Sequence, residues 1–458
     1  MHEKKTLINR IFPIIGILFI LGAFSGCVPV YSDKGDKDTQ YSVSTTMETE
    51  LAESSVFQES EETTTKVTER EPVSETSESI ITQKPEEETS APEDEIKKLL
   101  DTMTLDEKIG RMVMVGLEGY TPDEKTMEMI EKYHVGGFIL FSRNIEGPDQ
   151  LTALLNSLKA ANSRSKIPLL LSVDQEGGRV SRMPKELERF PDNQTVGKVN
   201  LEEFSYKLGA LLAECVKAFG FNMNFAPVLD IHSNPNNPVI GDRSFGEDAE
   251  IVSRLGISVM KGMQDQGVIS VVKHFPGHGD TDEDSHISLP SVEHSKERLM
   301  NFELVPFQNA IQNGADAVMI AHITVKEIDP DRPATLSEAV VTDLLREELN
   351  FDGVVVTDDL TMGAVMKNYD IGEAAVQSVL AGTDVLLVCH GYDNQVSVME
   401  ALKEAAENGT ITEERIDRSV YRILKLMEKY RIEDRLAPLV NIDEINKKIS
   451  DLLSTYIP

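Results

Sequence analysis

The chain has 458 residues, of which 40% are apolar, so it can bury one large hydrophobic core or two small ones. Its formal net charge of −33 argues against a nucleic-acid partner, whose phosphates would be repelled. The three cysteines, at positions 27, 215 and 389, are far apart and lack zinc-like spacing, so a disulfide framework is not expected.

The first 27 residues have the pattern of an export signal. Basic residues at positions 4, 5 and 10 precede an apolar run over 11–23, which leads into Ser25-Gly26-Cys27. This resembles a bacterial lipoprotein signal, in which Cys27 becomes the lipidated first residue of the mature chain. An uncleaved membrane helix is the alternative, but the apolar run is rather short to span a bilayer. We therefore predict a lipid anchor and a location on the outer face of the bacterial cell membrane.

Residues 28–95 form a second region, which is rich in Ser, Thr and Glu. It holds 19 acidic and 5 basic residues and shows no hydrophobic periodicity. Such a segment cannot bury enough apolar surface to offset its chain entropy. The composition predicts a disordered tether between the anchor and a folded domain.

The remainder alternates apolar runs of strand length with amphipathic runs of helix length. Eight strands are predicted, over Met112–Gly116, Gly137–Phe141, Leu169–Val173, Met223–Leu229, Val268–Val272, Ala317–Ala321, Gly353–Val356 and Val385–Val388. A helical pattern follows each strand, and a further helix is predicted over Glu413–Tyr430. A doubly wound open sheet also fits this alternation, but the count of eight favours an α/β fold of the (β/α)₈ TIM-barrel type. We predict one catalytic domain over 96–435, a C-terminal extension over 436–458, and no second domain.

Ionisable residues follow successive strands at the point where each strand ends. The clearest cases are Asp174, Asp230, Lys273-His274, His322 and Asp358. In a barrel, the ends of successive parallel strands meet at one face, where catalytic groups lie. The pattern therefore predicts an active site built from these ends and the loops after them.

Two carboxylate arrangements suggest general acid/base or nucleophilic chemistry. Asp358 follows Val354-Val355-Val356, so the strand would hold it rigidly, as attack on a glycosidic carbon requires. The alternative is that Asp358 and Asp359 only cap a helix. In the loop after strand five, Asp284 lies two residues before His286, where it could orient the imidazole and raise its basicity. A surface loop with scattered polar residues is equally compatible with that spacing.

A metal site formed by His274, His278, His286 and nearby aspartates is a further alternative. No HExxH motif is present, and His274 and His278 flank Pro276-Gly277, which does not preset a helical face. Neither a Walker loop nor a GxGxxG turn after a strand is present, so the common phosphate-binding motifs are missing.

Several long motifs, in order, closely resemble the family-3 glycoside hydrolases, and specifically the β-N-acetylglucosaminidase branch. They are Asp174-Gln175-Glu176-Gly177-Gly178-Arg179-Val180, Phe225-Ala226-Pro227-Val228-Leu229-Asp230, Gly241-Asp242-Arg243-Ser244-Phe245, Lys273-His274-Phe275-Pro276-Gly277-His278-Gly279-Asp280-Thr281 with Asp284-Ser285-His286, and Thr357-Asp358-Asp359-Leu360-Thr361-Met362-Gly363-Ala364. The resemblance covers about residues 96–430.

This resemblance implies a retaining exo-β-N-acetylglucosaminidase that forms a covalent glycosyl-enzyme. Asp358 would be the nucleophile and His286 the general acid/base, tuned by Asp284. Five residues would hydrogen-bond the sugar: Asp174, Arg182, Arg243, Lys273 and His274. The implied partners are small N-acetylglucosaminides or muropeptides, with no metal or organic cofactor.

Two other functions are compatible with the same residues. A histidine acid/base is uncharged after losing its proton and would repel phosphate less than a carboxylate would, which allows a phosphorylase. A tethered sugar-binding lipoprotein without catalysis is the other possibility, although the presence of Asp358, Asp284 and His286 argues against it.

Overall fold

Eight parallel strands close into a barrel in the computed structural model of the protein, which describes residues 94–457. They are β1 (Val113–Val115), β2 (Gly137–Leu140), β3 (Leu170–Val173), β4 (Met223–Asn224), β5 (Ile269–Phe275), β7 (Ala317–Ile320), β9 (Val354–Asp359) and β10 (Val385–Val388). The ring closes where Val113 of β1 pairs with Leu386 of β10. The predicted (β/α)₈ barrel is confirmed. The predicted signal segment and nearly all of the tether lie outside the described residues.

Helices surround the barrel, and most of them begin at a side chain that caps the first free backbone N–H groups. They are α1 (Glu95–Asp101), α2 (Leu105–Arg111), α3 (Glu124–Glu131), α4 (Pro148–Ala161), α5 (Asn193–Val199), α6 (Glu202–Phe219), α7 (Ala249–Asp265), α8 (Lys296–Asn301), α9 (Val305–Gln312), a π-helix (Ala339–Glu348), α10 (Gly363–Met366), α11 (Ile371–Ala381), α12 (Tyr392–Glu407), α13 (Glu413–Lys429) and α14 (Ile442–Tyr456). Thr104 and Glu107, for example, form a reciprocal capping box at α2.

Three strands end at least three residues away from their predicted ends. β4 is only two residues long, because Pro227 in the predicted strand has no N–H to donate to a ladder. β5 and β9 run further than their apolar runs and include charged residues at their ends, Lys273 and Asp358 among them. Charged groups can extend a buried strand here because each meets polar partners at the barrel mouth, as described below.

Two further differences lie between β5 and β9. The sequence predicted one helix after the fifth strand, but the structure divides it into α8 and α9, since Pro306 fits only the first turn of a new helix. A small parallel sheet of β6 (Ser291–Val292) and β8 (Thr324–Val325) was not predicted, because two-residue strands leave no periodic signal. This sheet joins the far end of the loop after β5 to the loop after β7.

The C-terminal residues pack against the barrel's outer layer. Ile445 and Ile449 of α14 are buried, and the ring of Tyr456 stacks on Phe204 of α6 with centroids 5.0 Å apart. Lys448 also pairs with Glu214 of α6. Residues 442–456 therefore share the barrel's core. Within residues 94–457, no helix combines the length and apolarity needed to cross a bilayer.

Candidate active site

A cavity of about 540 Å³ opens at the carboxyl ends of the barrel strands. All eight residues predicted as catalytic or sugar-binding line it, namely Asp174, Arg182, Arg243, Lys273, His274, Asp284, His286 and Asp358. They come from five separate chain segments, so only the closed barrel brings them together. These residues lie at the carboxyl ends of the barrel strands, which is the face where the sequence predicts the active site.

A cluster of four charged side chains forms one wall of this cavity. The Nζ of Lys273 lies 2.6 Å from Oδ1 of Asp174 and 2.7 Å from Oε1 of Glu176. Arg243 donates to both oxygens of Glu176, from Nε at 2.9 Å and from Nη2 at 2.8 Å. Two cations therefore balance two carboxylates where water has little access.

The pKa values of this cluster follow from its pairing. Burial alone would raise the pKa of Glu176, but Arg243 and Lys273 hold it far below its usual value. Burial would likewise lower the pKa of Lys273, but Asp174 and Glu176 raise it. Glu176, Lys273 and Arg243 therefore stay charged near neutral pH, so they offer strong, fixed hydrogen-bond partners to a ligand's hydroxyl groups.

Asp230 is fully buried and orients His274. Its Oδ2 lies 2.6 Å from Nδ1 of His274, whose Nε2 is 3.2 Å from Nη2 of Arg243. Burial opposes ionisation of Asp230, but the adjacent His274 lowers its pKa. The second ring nitrogen of His274 is thereby aimed toward the cavity wall.

Arg182 reaches the cavity from the loop after β3. Its backbone N–H donates to Oε1 of Gln175 at 3.0 Å. Its buried Nε has no hydrogen-bond partner among residues 94–457. A buried guanidinium N–H without a partner is costly, so this donor is suited to a ligand oxygen.

Asp358 and Asp359 are adjacent but differ in their surroundings. Asp359 is bound into the backbone, because its Oδ1 accepts from the N–H groups of Thr361 at 2.9 Å and Cys389 at 3.0 Å, and its Oδ2 accepts from the Thr361 hydroxyl at 2.6 Å. Asp358 lines the cavity and accepts from the N–H of Asp359 at 2.8 Å. The alternative that these aspartates only cap a helix is wrong, because the helix that follows has Met362 at its N-cap and no side-chain cap. Both aspartates line the cavity, and Asp359 in addition holds the backbone around it.

The pKa of Asp358 lies below its usual value even though burial alone would raise it. The imidazoles of His322 and His274 and the N–H of Asp359 favour its charged form. His322 is itself buried after β7, with Nε2 at 2.9 Å from the carbonyl oxygen of Asp359 and Nδ1 at 2.7 Å from Oγ1 of Thr335. The Asp358 carboxylate is therefore ionised. The end of its strand is held in place by the contact between His322 and the carbonyl oxygen of Asp359.

The loop between β5 and β6 brings Asp284 and His286 over the cavity. Nδ1 of His286 lies 2.7 Å from Oδ1 of Asp284, which also accepts from the backbone N–H of His286 at 2.8 Å. The His286 side chain is 63% exposed, so it can reach a leaving group at the cavity mouth. Burial opposes ionisation of Asp284, but these bonds from His286 lower its pKa. The paired arrangement predicted from the spacing is therefore present.

The sequence did not assign partners to Glu176 and Asp230. In the sequence, Glu176 appears only within the motif that follows the third strand, and Asp230 only as an ionisable strand end. Both turn out to be buried counter-ions of predicted sugar-binding residues. A buried cation such as Lys273 needs a carboxylate partner, and that requirement was the available signal.

The histidines of the metal alternative are each occupied by protein partners. His274 contacts Asp230, His286 contacts Asp284, and His278 contacts two hydroxyl groups. Within residues 94–457, a different group has metal-like spacing: Asp280, His294 and Glu303, with ligand atoms within 4.8 Å of one another. There Asp280 already bonds His294 and Glu303 already pairs with Arg298, so protein bonds account for that group.

Comparison with known proteins agrees with this geometry. Residues 104–426 match the family described as Glycosyl hydrolase family 3 N terminal domain. The chain belongs to glycosyl hydrolase family 3. This confirms the expectation of a glycoside hydrolase on a (β/α)₈ barrel.

Three relatives illustrate the extent of the similarity. The chain is 36% identical over 326 residues to beta-hexosaminidase A of Pseudoalteromonas piscicida, covering 66% of this chain and 54% of that protein. It is 33% identical over 347 residues to the beta-hexosaminidase of Nitrosomonas eutropha, covering 74% of this chain and 98% of that protein. Among solved structures, a family-3 β-N-acetylglucosaminidase from Paenibacillus sp. superposes with a TM-score of 0.73 and 44% identity, over 78% of this chain and 69% of that one. The family-3 chain thus spans about half of the Pseudoalteromonas protein and nearly all of the Nitrosomonas protein.

Proposed function

We propose that the protein is a retaining exo-β-N-acetylglucosaminidase that removes terminal β-linked N-acetylglucosamine. The observation that carries this proposal is that the ionised Asp358, on β9, and the Asp284–His286 pair, on the loop after β5, line one cavity. A nucleophile and a separate proton donor at one site are what a double-displacement reaction needs.

The reaction would proceed in two balanced steps. In the first, a carboxylate oxygen of Asp358 bonds to the anomeric carbon while His286 gives its proton to the departing oxygen, so the glycosidic bond breaks and a glycosyl ester forms. In the second, His286 takes a proton from water, whose oxygen bonds to the anomeric carbon as the ester to Asp358 breaks. Asp284 stabilises the imidazolium that exists before the first step and after the second.

The choice of N-acetylglucosamine is supported by the names of the relatives and by the cavity wall. Two relatives named beta-hexosaminidase and one β-N-acetylglucosaminidase structure align across the barrel. Lys273, Arg243 and Asp174 place charged donors and acceptors side by side, and such pairs suit adjacent sugar hydroxyl groups. The Nε of Arg182, which has no partner in the part of the chain that the structure describes, adds a donor.

A phosphorylase remains the second candidate, because the group at the acid/base position is an imidazole and not a carboxylate. A neutral imidazole with Arg182 and Arg243 in the same cavity would admit phosphate more readily than a second carboxylate would. Product analysis with and without inorganic phosphate separates the two reactions, since only the phosphorylase forms a sugar 1-phosphate.

We further propose that the enzyme is exported, lipid-anchored through Cys27 and active on cell-wall-derived saccharides or muropeptides outside the membrane. The support is the signal-like pattern of residues 1–27 and the Ser/Thr/Glu-rich segment after it. Cys27 lies outside the described residues. Cell fractionation of the wild type and of Cys27→Ser, with detection of the lipidated N-terminus by mass spectrometry, tests this part separately.

The deciding experiment is turnover of an aryl β-N-acetylglucosaminide by the wild type and by Asp358→Ala. The expected result is release of N-acetylglucosamine by the wild type and its near-complete loss in the variant. Equal rates would contradict the mechanism. Normal sugar binding by Asp358→Ala together with an inactive wild type would instead favour the sugar-binding lipoprotein.

A further inference from the structure

His278 is a buried histidine near the start of the loop that carries Asp284 and His286. Its Nε2 lies 2.9 Å from Oγ of Ser285, the residue between those two. Its Nδ1 lies 2.9 Å from Oγ1 of Thr281, at the start of the same loop. Both ring nitrogens are therefore used to hold this one loop.

The backbone of His278 is fixed by the barrel. Its N–H donates to Oδ1 of Asp230 at 2.6 Å, and its carbonyl oxygen accepts from Nδ2 of Asn237 at 2.8 Å. The next residue, Gly279, lies so close to the loop after β4 that a Cβ atom there would be 1.6 Å from the carbonyl oxygen of Ile231. No other residue type fits at that position without displacing the backbone, so His278 is a rigid support.

We propose that His278 is a positioning residue for acid/base catalysis, acting through its bond to Ser285 to set the place of His286 over the cavity. This inference rests on the proposed glycosidase function. Ser285 is the direct neighbour of both Asp284 and His286, so a shift of its side chain moves the proton donor. A displacement of about 1 Å in a reacting group can cost a large part of the rate.

The same contacts join His278 to the sugar-binding wall. Asp230 uses one oxygen for the N–H of His278 and the other for Nδ1 of His274. His274 in turn contacts Arg243. The proton donor and the sugar-binding residues are thus held against one buried carboxylate, which fixes their relative positions.

A purely structural histidine would have a different effect from a positioning one. Loss of a structural contact would lower the stability of the loop and reduce turnover of every substrate alike. Loss of a positioning contact would impair proton donation, and would therefore harm substrates with poor leaving groups far more than those that depart without a proton. The ratio of the two rates separates these cases.

The test compares Ser285→Ala with Ser288→Ala, a serine of the same loop whose hydroxyl donates to Glu283 at 2.6 Å and not to His278. For each variant, kcat/KM is measured on two β-N-acetylglucosaminides, one with a nitrophenol leaving group and one with a simple alcohol. We expect Ser285→Ala to lose about 10-fold on the alcohol glycoside and much less on the nitrophenyl glycoside. Ser288→Ala should keep the wild-type ratio.

A second pair of variants, at position 278, allows the test to be made even if one variant fails to fold. Gln at position 278 retains an amide near the Nε2 position, whereas Ala removes both ring contacts, so His278→Gln should recover part of the ratio that His278→Ala loses. Equal ratios for Ser285→Ala, Ser288→Ala and the wild type would overturn the role of His278. A wild type inactive on both substrates would overturn the proposed function itself.

Discussion

The backbone N–H of Gly363 donates to the carbonyl oxygen of His286 at 3.2 Å. Ala364 donates in the same way to Ser285 at 3.1 Å, and Nζ of Lys367 donates to the carbonyl oxygen of Ile287 at 2.6 Å. Gly363 begins α10, a few residues after Asp358. The loop with the proposed proton donor is therefore docked on the segment that follows the proposed nucleophile, which fixes the separation of the two.

Replacement of Gly363 by alanine should disturb this docking. A Cβ atom there would lie 2.5 Å from the carbonyl oxygen of His286, so the loop must move away. We expect a fall in kcat on the order of 10- to 100-fold, since small misplacements of reacting groups are costly. Gly147→Ala is the control, because its added Cβ would meet nothing within 4 Å. Unchanged kcat in Gly363→Ala would mean that the loop does not depend on this contact.

Alanine should mainly reduce activity at Asp358 and mainly reduce stability at Asp359. Asp358→Ala removes the proposed nucleophile, and we expect kcat to fall by a factor on the order of 10⁴ with little change in the free energy of unfolding. Asp359→Ala leaves the N–H groups of Thr361 and Cys389 without their acceptor and should cost about 1–3 kcal/mol of stability. Urea denaturation and aryl-glycoside turnover on both variants check the contrast. A stable, fully active Asp358→Ala would contradict it.

The substitution Glu176→Gln should be strongly destabilising, although the two side chains are nearly equal in size. Glu176 is the shared counter-ion of Arg243 and Lys273, and removal of one partner from a buried ionic cluster typically costs about 3–5 kcal/mol. The matched control is Glu433→Gln, whose pair with Arg435 is exposed and should contribute about 1 kcal/mol or less. Denaturant unfolding at constant pH measures both. Similar losses in the two variants would show that the cluster is not the stabilising unit.

The fold could be predicted from the sequence because its signal is periodic and local. Apolar runs such as those ending at Val173 and Val388 are long enough to identify strands, and their number identifies the barrel. The site residues could be predicted in part for the same reason, since the ends of parallel strands must meet at one face. Asp174 and Lys273 were placed together on that basis, and the structure joins them at 2.6 Å.

The remaining features depend on contacts between distant segments, which carry no periodic signal. The pairing of Glu176 with Arg243 joins the loops after β3 and β4, and that of Asp230 with His274 joins the loop after β4 to β5. Strand ends were misplaced at Lys273 and Asp358 for a related reason. Charge normally ends a strand, and only the partners across the barrel mouth let these strands continue.

His278 should make stability depend on pH over a window that the carboxylates do not share. Burial and the neighbouring His274 lower its pKa to about 4, against 6.5 in an unfolded chain, while Asp230 and Asp358 act in the opposite direction. Between these values the unfolded chain binds a proton that the native protein does not. The contribution of His278 to the free energy of unfolding is therefore fully present above pH 6.5. It decreases as the pH falls toward 4, by about 3 kcal/mol in total.

The measurement is the free energy of unfolding at pH 7.5 and at pH 4.5, for the wild type and for His278→Gln. Gln does not titrate, so the free energy of unfolding should fall less on acidification in the variant than in the wild type. The difference should be most of that 3 kcal/mol. Contributions from the other histidines cancel in the comparison, because both proteins contain them. If acidification destabilises the two proteins equally, then His278 has the same pKa in the native protein and in the unfolded chain, and its burial does not disfavour the protonated form.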